Sequence, residues 1–520
     1  MIGTALFVLI VILLIIYNAI VEKSNYWRKL KIPYLKPLPL LGNYGDYVLM
    51  KRYFGEVAQT ICQKFPNAPY FGAFYGTEPT LMVQDPEVIK QIMTKDFYSC
   101  SGREISSYCD KEVFTKGLFF TSGDRWKLLR QNLTPLFSSS KMKNMFYLIE
   151  NSCHGFESML DREFRKNQIV RIRALFARFT MDSIGTCAFG VNTKTMDEVS
   201  DDNPFTYIGK SLFLETYYRG FKIIARAIWP AIFYGLGFKN FPVEVNTFFH
   251  KLMTDVFTER KYTPTARHDF VDLVLKFHEQ KYLTGDRITS LKGEGEKITM
   301  NVDDDFLVAQ CVIFFAGGFE TSSTTLQYLL YELAKNPEAQ DKLIEEVDEY
   351  LKRHNNKLEY ICVTELPFVE ACLSETLRLY PVFGVLTREV LEDYTLPCGA
   401  VLDKGVRIHI PVYHLHKNPV HFPEPEEYRP ERFYGDEKEN IKPYTYLPFG
   451  EGPRICIGMR FAKMQMMAGI VTFFKKYRVE LAEGTPRRLN LGVKTIVTQP
   501  KELIQLKLVE REGWEQRILA

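Results

Sequence analysis

The sequence predicts a mainly α-helical protein with small β-sheets, preceded by one N-terminal transmembrane helix. Three observations lead there. Residues 2–21, IGTALFVLIVILLIIYNAIV, carry no charge. From residue 120 to 380 the apolar spacing is mostly helical. After residue 381, prolines and short β-type runs take over. A length of 520 residues suggests about three domains. No linker divides the folded part, however, and residues 45–520 read as one domain. Hydrophobic residues make up 46% of the chain and aromatics 14%, which excludes disorder and supplies a large core. A net charge of only +3 excludes a global basic field for nucleic acid.

Twenty apolar-dominated residues make a helix of about 30 Å, enough to span a bilayer. No small-residue cleavage site follows, so residues 1–21 read as a retained anchor and not as a signal peptide. Lys23, Arg28, Lys29, Lys31 and Lys36 come next against a single acid, Glu22, which leaves the rest of the chain in the cytosol. Residues 22–44 are expected to form a basic, proline-rich hinge stiffened by Pro33, Pro37 and Pro39. Residues 45–100, with PYFGAFYGTEPTLMV among them, read as strands and helices of a small α+β part. The segment 213–242 is unusually apolar and aromatic. It fits either a core helix pair or a helical edge that dips into the membrane surface, with Trp229 and the tyrosines at the interface.

SLKGEGEK, residues 290–297, is a polar loop before the longest helix, Val302–Lys335. Asn301 is a candidate cap for that helix, and Asn336-Pro337 ends it. Its middle, FLVAQCVIFFAGGF, is apolar on every side, so the helix is expected to cross the core. Ten cysteines are scattered without a C-x-x-C pair, which argues against a zinc site and for reduced thiols. His409, His414 and His416 look like a metal cluster, a reading that ranks low. No G-x-G-x-x-G and no G-x-x-x-x-G-K-[ST] run is present, so the chain has no nucleotide domain of its own.

FGEGPRICIG, residues 449–458, surrounds Cys456 with glycines and Arg454. A thiolate that binds iron must be deprotonated, shielded from water and approached by backbone N–H groups. Glycines permit the tight turn that brings those donors close. Arg454 suits a carboxylate such as a haem propionate. The run after the cysteine, MRFAKMQMMAGIVTFFKKY, is helical in pattern, and its N-terminal dipole favours an anion at Cys456.

The pattern F-x-x-G-x-R-x-C-x-G resembles the haem-thiolate signature of the cytochrome P450 monooxygenases. Further motifs stand in that family's order along nearly all of the body: WKLLR (Trp126, Arg130), GGFETS (317–322), ETLR (Glu375, Arg378), VLTREV (Arg388) and PERF (Arg432). The resemblance implies the cytochrome P450 fold. It implies haem b, with Cys456 as axial iron ligand and Trp126, Arg130, Arg388 and Arg454 on the propionates. Glu375, Arg378 and Arg432 would form a buried structural ion-pair cluster. Gly317 and Gly318, costly inside a helix by about 1 kcal/mol each, would open a gap for dioxygen. Thr321 and Glu320 would deliver protons as the catalytic pair.

The resemblance also implies partners. Electrons would come from NADPH through NADPH–cytochrome P450 reductase at the endoplasmic reticulum membrane, with cytochrome b5 as a further donor. The reductase would dock on basic residues near the Cys456 loop: Lys127, Lys463, Lys475, Lys476 and Arg478. Ile105, Tyr108, Phe114, Phe119 and Phe120 would line the substrate pocket. Phe314, Phe315, Val382, Phe383, Val385, Leu386, Ile496 and Val497 would complete it. AGGFETSS and CIGMRFAKMQ look most like insect microsomal detoxification members, which suggests plant toxins and insecticides as substrates. Other readings are a dedicated steroid or hormone hydroxylase and, in a different class, a haem-thiolate isomerase. The isomerase needs no proton delivery, and the intact Glu320–Thr321 pair argues against it.

Overall fold

Short runs of aromatic and β-branched residues near the start of the chain pair with runs three hundred residues later. The computed structural model describes residues 7, 11, 17–197, 203–265, 269–288 and 297–519. Strands β1 (Tyr70–Tyr75) and β2 (Glu78–Val83) form an antiparallel hairpin with Leu81 opposite Gly72. Two later strands, β3 (Leu386–Glu389) and β4 (Arg407–Ile410), complete a four-stranded sheet in the order β1-β2-β4-β3. β4 runs parallel to β2, with Ile408 opposite Leu81, and antiparallel to β3, with Ile408 opposite Arg388. The β1–β2 turn requires glycine. Gly76 has φ +62°, and a Cβ there would lie 2.3 Å from Ile228.

The remainder is mainly helical. The helices that build the site are α1 (Gly123–Leu133), α2 (Ser139–Lys166), α3 (Ile172–Ile184), α4 (Tyr217–Ile228), α5 (Asp304–Lys335), α6 (Pro367–Leu379) and α7 (Met459–Phe474). α5 runs unbroken through both glycines and is mostly buried, as its all-round apolar sequence predicts. It is the one described helix long and apolar enough to cross a membrane, and its burial makes it a core helix. Its cap is Asp303, which accepts from Phe306 N–H at 2.7 Å. Asn301 instead ends the hairpin strand Lys297–Asn301, opposite Tyr282.

Several expectations change. Most of the anticipated anchor, residues 2–21, and most of the loop 290–297 lie outside the described residues. The hinge 22–44 is not a free spacer from Tyr26 onward. Trp27 is fully buried and donates its indole N–H to Ala73 O at 2.9 Å, while Gly72 N–H donates to Pro33 O at 2.8 Å. An indole sealed against the sheet edge ties this segment to the body.

The segment 213–242 is not a core helix pair. α4 buries Ile224, Ala225 and Ile228 on one face and exposes Tyr217, Tyr218 and Phe221 on the other. The short helix Pro230–Gly235 leaves Ile232 61% exposed, and Leu236 just after it is 69% exposed. Trp229 packs inward against the cluster beneath the sheet.

Candidate active site

The loop that carries Cys456 is shaped by glycines for separate reasons. Gly450 and Gly452 have φ +73° and +72°, and a Cβ on Gly452 would come within 2.0 Å of Met93 O. Only glycine can hold the loop that close to the turn Gln91–Lys95. Cys456 N–H donates to Phe449 O at 2.9 Å, which closes the turn three residues before α7. The Gly458 N–H reaches the cysteine sulfur. Cys456 is exposed, but to an interior cavity of about 330 Å³ and not to the outer surface. Burial pushes its thiol pKa up, against the pull of the Gly458 N–H, Arg130 and Arg103.

Cations surround this end of the cavity. Trp126 and Arg130 project from α1, one turn apart, and Arg388 comes from β3. Arg454 lies over the Trp126 ring at 4.6 Å and donates to Thr121 O. A fourth arginine, Arg103, lines the same wall and stacks on Phe119 at 4.1 Å. No local motif announces it; it enters because the chain between β2 and α1 folds over the cavity. Burial lowers all four arginine pKa values, Arg103 to about 9 and Arg388 to about 10. In Arg454 the other three arginines add to the effect.

Among the described residues no aspartate or glutamate lines the cavity. The buried Nε atoms of Arg103, Arg388 and Arg454 have no hydrogen-bond partner. Such a cluster is suited to bind anions. These donors fit the two carboxylates of haem, and the cavity-facing thiol fits an iron ligand.

α5 passes the same cavity. Gly317 faces it, and a Cβ there would meet nothing within 4 Å. Gly318 is needed for packing instead. A Cβ there would sit 2.8 Å from Ile184, so glycine allows α3 and α5 to approach closely. Thr321 lines the cavity and donates its hydroxyl to Gly317 O at 2.7 Å. Glu320 does not line it. It is buried behind the wall, where Arg173 and Gln499 donate to its Oε1, Gln499 at 2.8 Å. Sequential neighbours on a helix point about 100° apart, so Thr321 and Glu320 face different sides.

Beneath the site, Glu375 and Arg378 are both 0% exposed and form a bidentate pair at 2.7 and 2.8 Å, with Arg432 at 3.4 Å. Arg378 also donates to the carbonyls of His416, Pro425 and Glu427. Every part of this buried pair is bonded, as the sequence implies.

Of the anticipated pocket residues, Phe114, Phe119, Phe120, Phe314, Val382, Phe383, Leu386, Ile496 and Val497 line the cavity. Tyr108 instead stacks on Tyr234, and Phe315 packs against Phe205, Phe249 and Phe319. Val385 joins the cluster under the sheet, and Ile105 is buried off the cavity wall.

The three histidines do not converge. His409 bonds Tyr44 and Glu104, while His416 Nε2 accepts from Leu447 N–H. Among the described residues no cluster could hold a metal ion.

The basic docking face also dissolves in part. Lys475 is 1% exposed and pairs with Glu157 at 2.6 Å; Lys476 pairs with Asp161 at 3.0 Å over the Trp514 ring. Lys127 is buried and donates to Arg287 O. Lys475 and Lys476, expected on the docking face, are here folded inward on acids of α2. Lys463 and Arg478 are half-exposed, paired with Glu370 and Asp341.

Comparison with known proteins agrees with this geometry. The family model described as Cytochrome P450 matches residues 32–508. Cytochrome P450 6B2 of Helicoverpa armigera is 35% identical over 97% of this chain and 98% of its own length. Cytochrome P450 6B1 of Papilio polyxenes is 35% identical over 94% and 95%. Cytochrome P450 6a8 of Drosophila melanogaster is 33% identical over 96% and 98%. A chain matched across nearly its whole length, with a lone cavity-facing thiol among arginines that no described acid accompanies on the wall, belongs to the cytochrome P450 family of monooxygenases.

Proposed function

We propose that this chain inserts one oxygen atom from dioxygen into hydrophobic small molecules, namely xenobiotics such as plant toxins and insecticides. The second atom leaves as water, with two electrons from NADPH and two protons. The cavity carries this reading: beyond the arginine end its wall is mainly aromatic and aliphatic, with Arg219, Asn240 and Lys494 among its few polar groups, and such chambers hold hydrophobic ligands. Haem b supplies the activation of dioxygen when bound, and thiolate ligation favours O–O cleavage. Cys456 would hold the haem iron through its thiolate. Trp126, Arg130, Arg388 and Arg454 would hold the propionates, joined by Arg103.

Thr321 holds a hydroxyl proton at the cavity wall and releases it when its bond to Gly317 O opens. Glu320, which faces away from the cavity, would resupply that proton after taking one up itself and turning from Arg173 and Gln499. Its partner Arg173 is 35% exposed, so the ion pair opens toward solvent on that side. NADPH–cytochrome P450 reductase delivers the electrons, with cytochrome b5 as a second donor. Residues 1–21 anchor the protein in the endoplasmic reticulum membrane with residues 45–520 facing the cytosol. The exposed apolar side chains of α4 and of Pro230–Gly235 rest on that membrane.

The test is reconstitution of the haem-loaded protein with reductase and NADPH against a panel of plant toxins, insecticides and steroids. Turnover of several toxins is the expected result, and turnover confined to one steroid would replace this reading with the dedicated hydroxylase. Cys456→Ala removes the thiolate-type spectrum of the reduced carbon monoxide complex; its survival would refute the ligand assignment.

A further inference from the structure

Six cations line the cavity, and no acid among the described residues does. Haem carboxylates account for the four arginines around Trp126 and Cys456. Arg219 and Lys494 remain. A row of rings separates them from that end: Arg103 lies over Phe119, Phe119 packs on Phe120, and Phe120 and Phe241 are 6.1 Å apart. Arg219 lies over the far side of that row, 5.1 Å from the Phe241 ring.

Arg219 stands in the first turn of α4 and is buried. Its guanidinium donates to two carbonyls, Asn240 O and Leu212 O, and among the described residues no carboxylate bonds it directly. The nearby carboxylate, Glu112, is already committed. It accepts from Asn240 N–H at 3.0 Å, Phe241 N–H at 2.9 Å and Tyr234 OH at 2.9 Å, and stands 3.9 Å from Arg226. One acid thus serves two buried arginines. Asn240 is buried as well, and its Oδ1 has no partner. Lys494 belongs to the same wall. A Cβ on Gly220, next to Arg219, would lie 3.4 Å from Lys494 Cα. Its ammonium rests on the Tyr217 ring at 4.0 Å, and Glu215 is shared between it and Arg173.

We infer that Arg219 and Lys494 form an anion subsite at the end of the cavity remote from Cys456, so that the protein prefers amphipathic substrates carrying a carboxylate or sulfate at one end. The anion is held between guanidinium and ammonium, and the apolar tail runs along the phenylalanines toward Cys456. This inference rests on the cavity being the substrate chamber.

The test uses spectral titration of the haem-loaded protein with three probes of one chain length: decanoate, 1-decanol and decyltrimethylammonium. Decanoate binds about tenfold tighter than 1-decanol, as a charge-assisted contact implies, and the cation binds weakest. Arg219→Gln and Lys494→Gln each erase most of the decanoate advantage while 1-decanol affinity stays put; Arg219→Lys retains part of it. The half-exposed Lys494 carries the test if Arg219→Gln fails to take up haem. Equal affinity for decanoate and 1-decanol, or variants that weaken both alike, overturns the anion subsite alone. No spectral response to any probe overturns the substrate chamber and the subsite with it.

Discussion

Gly317 and Gly318 are adjacent, yet alanine should act on them with opposite sign. At position 318 the added methyl would lie 2.8 Å from Ile184 Cδ1 and Cγ1 and 3.2 Å from its Cβ. Ordinary carbon contacts begin near 3.5 Å. Rotating the Ile184 tip cannot move its Cβ, so α3 and α5 must separate by several tenths of an ångström. Overpacking of this kind costs about 1–3 kcal/mol. At position 317 the methyl enters open space, and alanine gains about 0.5–1 kcal/mol over glycine in a helix interior. A chain of this size has an unfolding entropy of about 1 kcal/mol/K, from about 2.1 cal/mol/K per residue, so each kcal/mol moves the midpoint by about 1 °C. Differential scanning calorimetry at one fixed scan rate resolves such shifts. In the apoprotein, Gly318→Ala lowers the midpoint by about 1–3 °C and Gly317→Ala raises it by up to about 1 °C. In the haem-loaded protein, Gly317→Ala slows carbon monoxide binding, because its methyl enters the open space of the cavity. A Gly318→Ala midpoint equal to wild type would refute close packing as the reason for that glycine. Equal losses at both positions would refute the open space at 317.

Thr321→Ala should still bind haem and consume NADPH but release more peroxide per product; unchanged coupling would reject its role in proton supply. Glu375→Gln strips the charge partner from Arg378, which is fully buried, at a cost of about 3–5 kcal/mol. The yield of folded, haem-loaded protein should fall sharply, and a normal yield would mean that the three carbonyl acceptors alone hold Arg378. Lys475→Glu with Lys476→Glu places like charges against Glu157 and Asp161. Reductase-driven and peroxide-driven turnover should therefore drop together; loss confined to the reductase assay, strongest at low salt, would restore these lysines to a docking face.

What could be read from the sequence was local. FGEGPRICIG encodes its own turn, and the E-x-x-R pair meets because residues three apart share a helix face. The apolar run around Phe314 predicts a core helix because it offers no polar side to water. Pairing across the chain is another matter. Lys475 and Lys476 look like a solvated helix end until α2 brings Glu157 and Asp161 against them. Trp27 looks like part of a spacer until the sheet edge closes on it. Phe314 and Phe315 cannot be sorted into cavity and core without knowing the rotation of the helix, since one residue turns the side chain by about 100°.

The cavity's cations show the same division in sharper form. Arg130, Arg388 and Arg454 each sit inside a recognisable stretch of sequence, whereas Arg103, Arg219 and Lys494 come from segments without any motif. A cofactor imposes one fixed geometry on its ligands, and fixed geometry leaves a pattern in sequence. The wall of the proposed substrate chamber is assembled from the start of α4, the turn at Asn240 and the segment near Ile496, which are far apart in the chain. Its charge appears only once those pieces meet, as two cations on a cavity wall that no described acid lines. Chemistry common to the family is therefore written in short stretches, and the selection of substrate is written in how the chain folds back on itself.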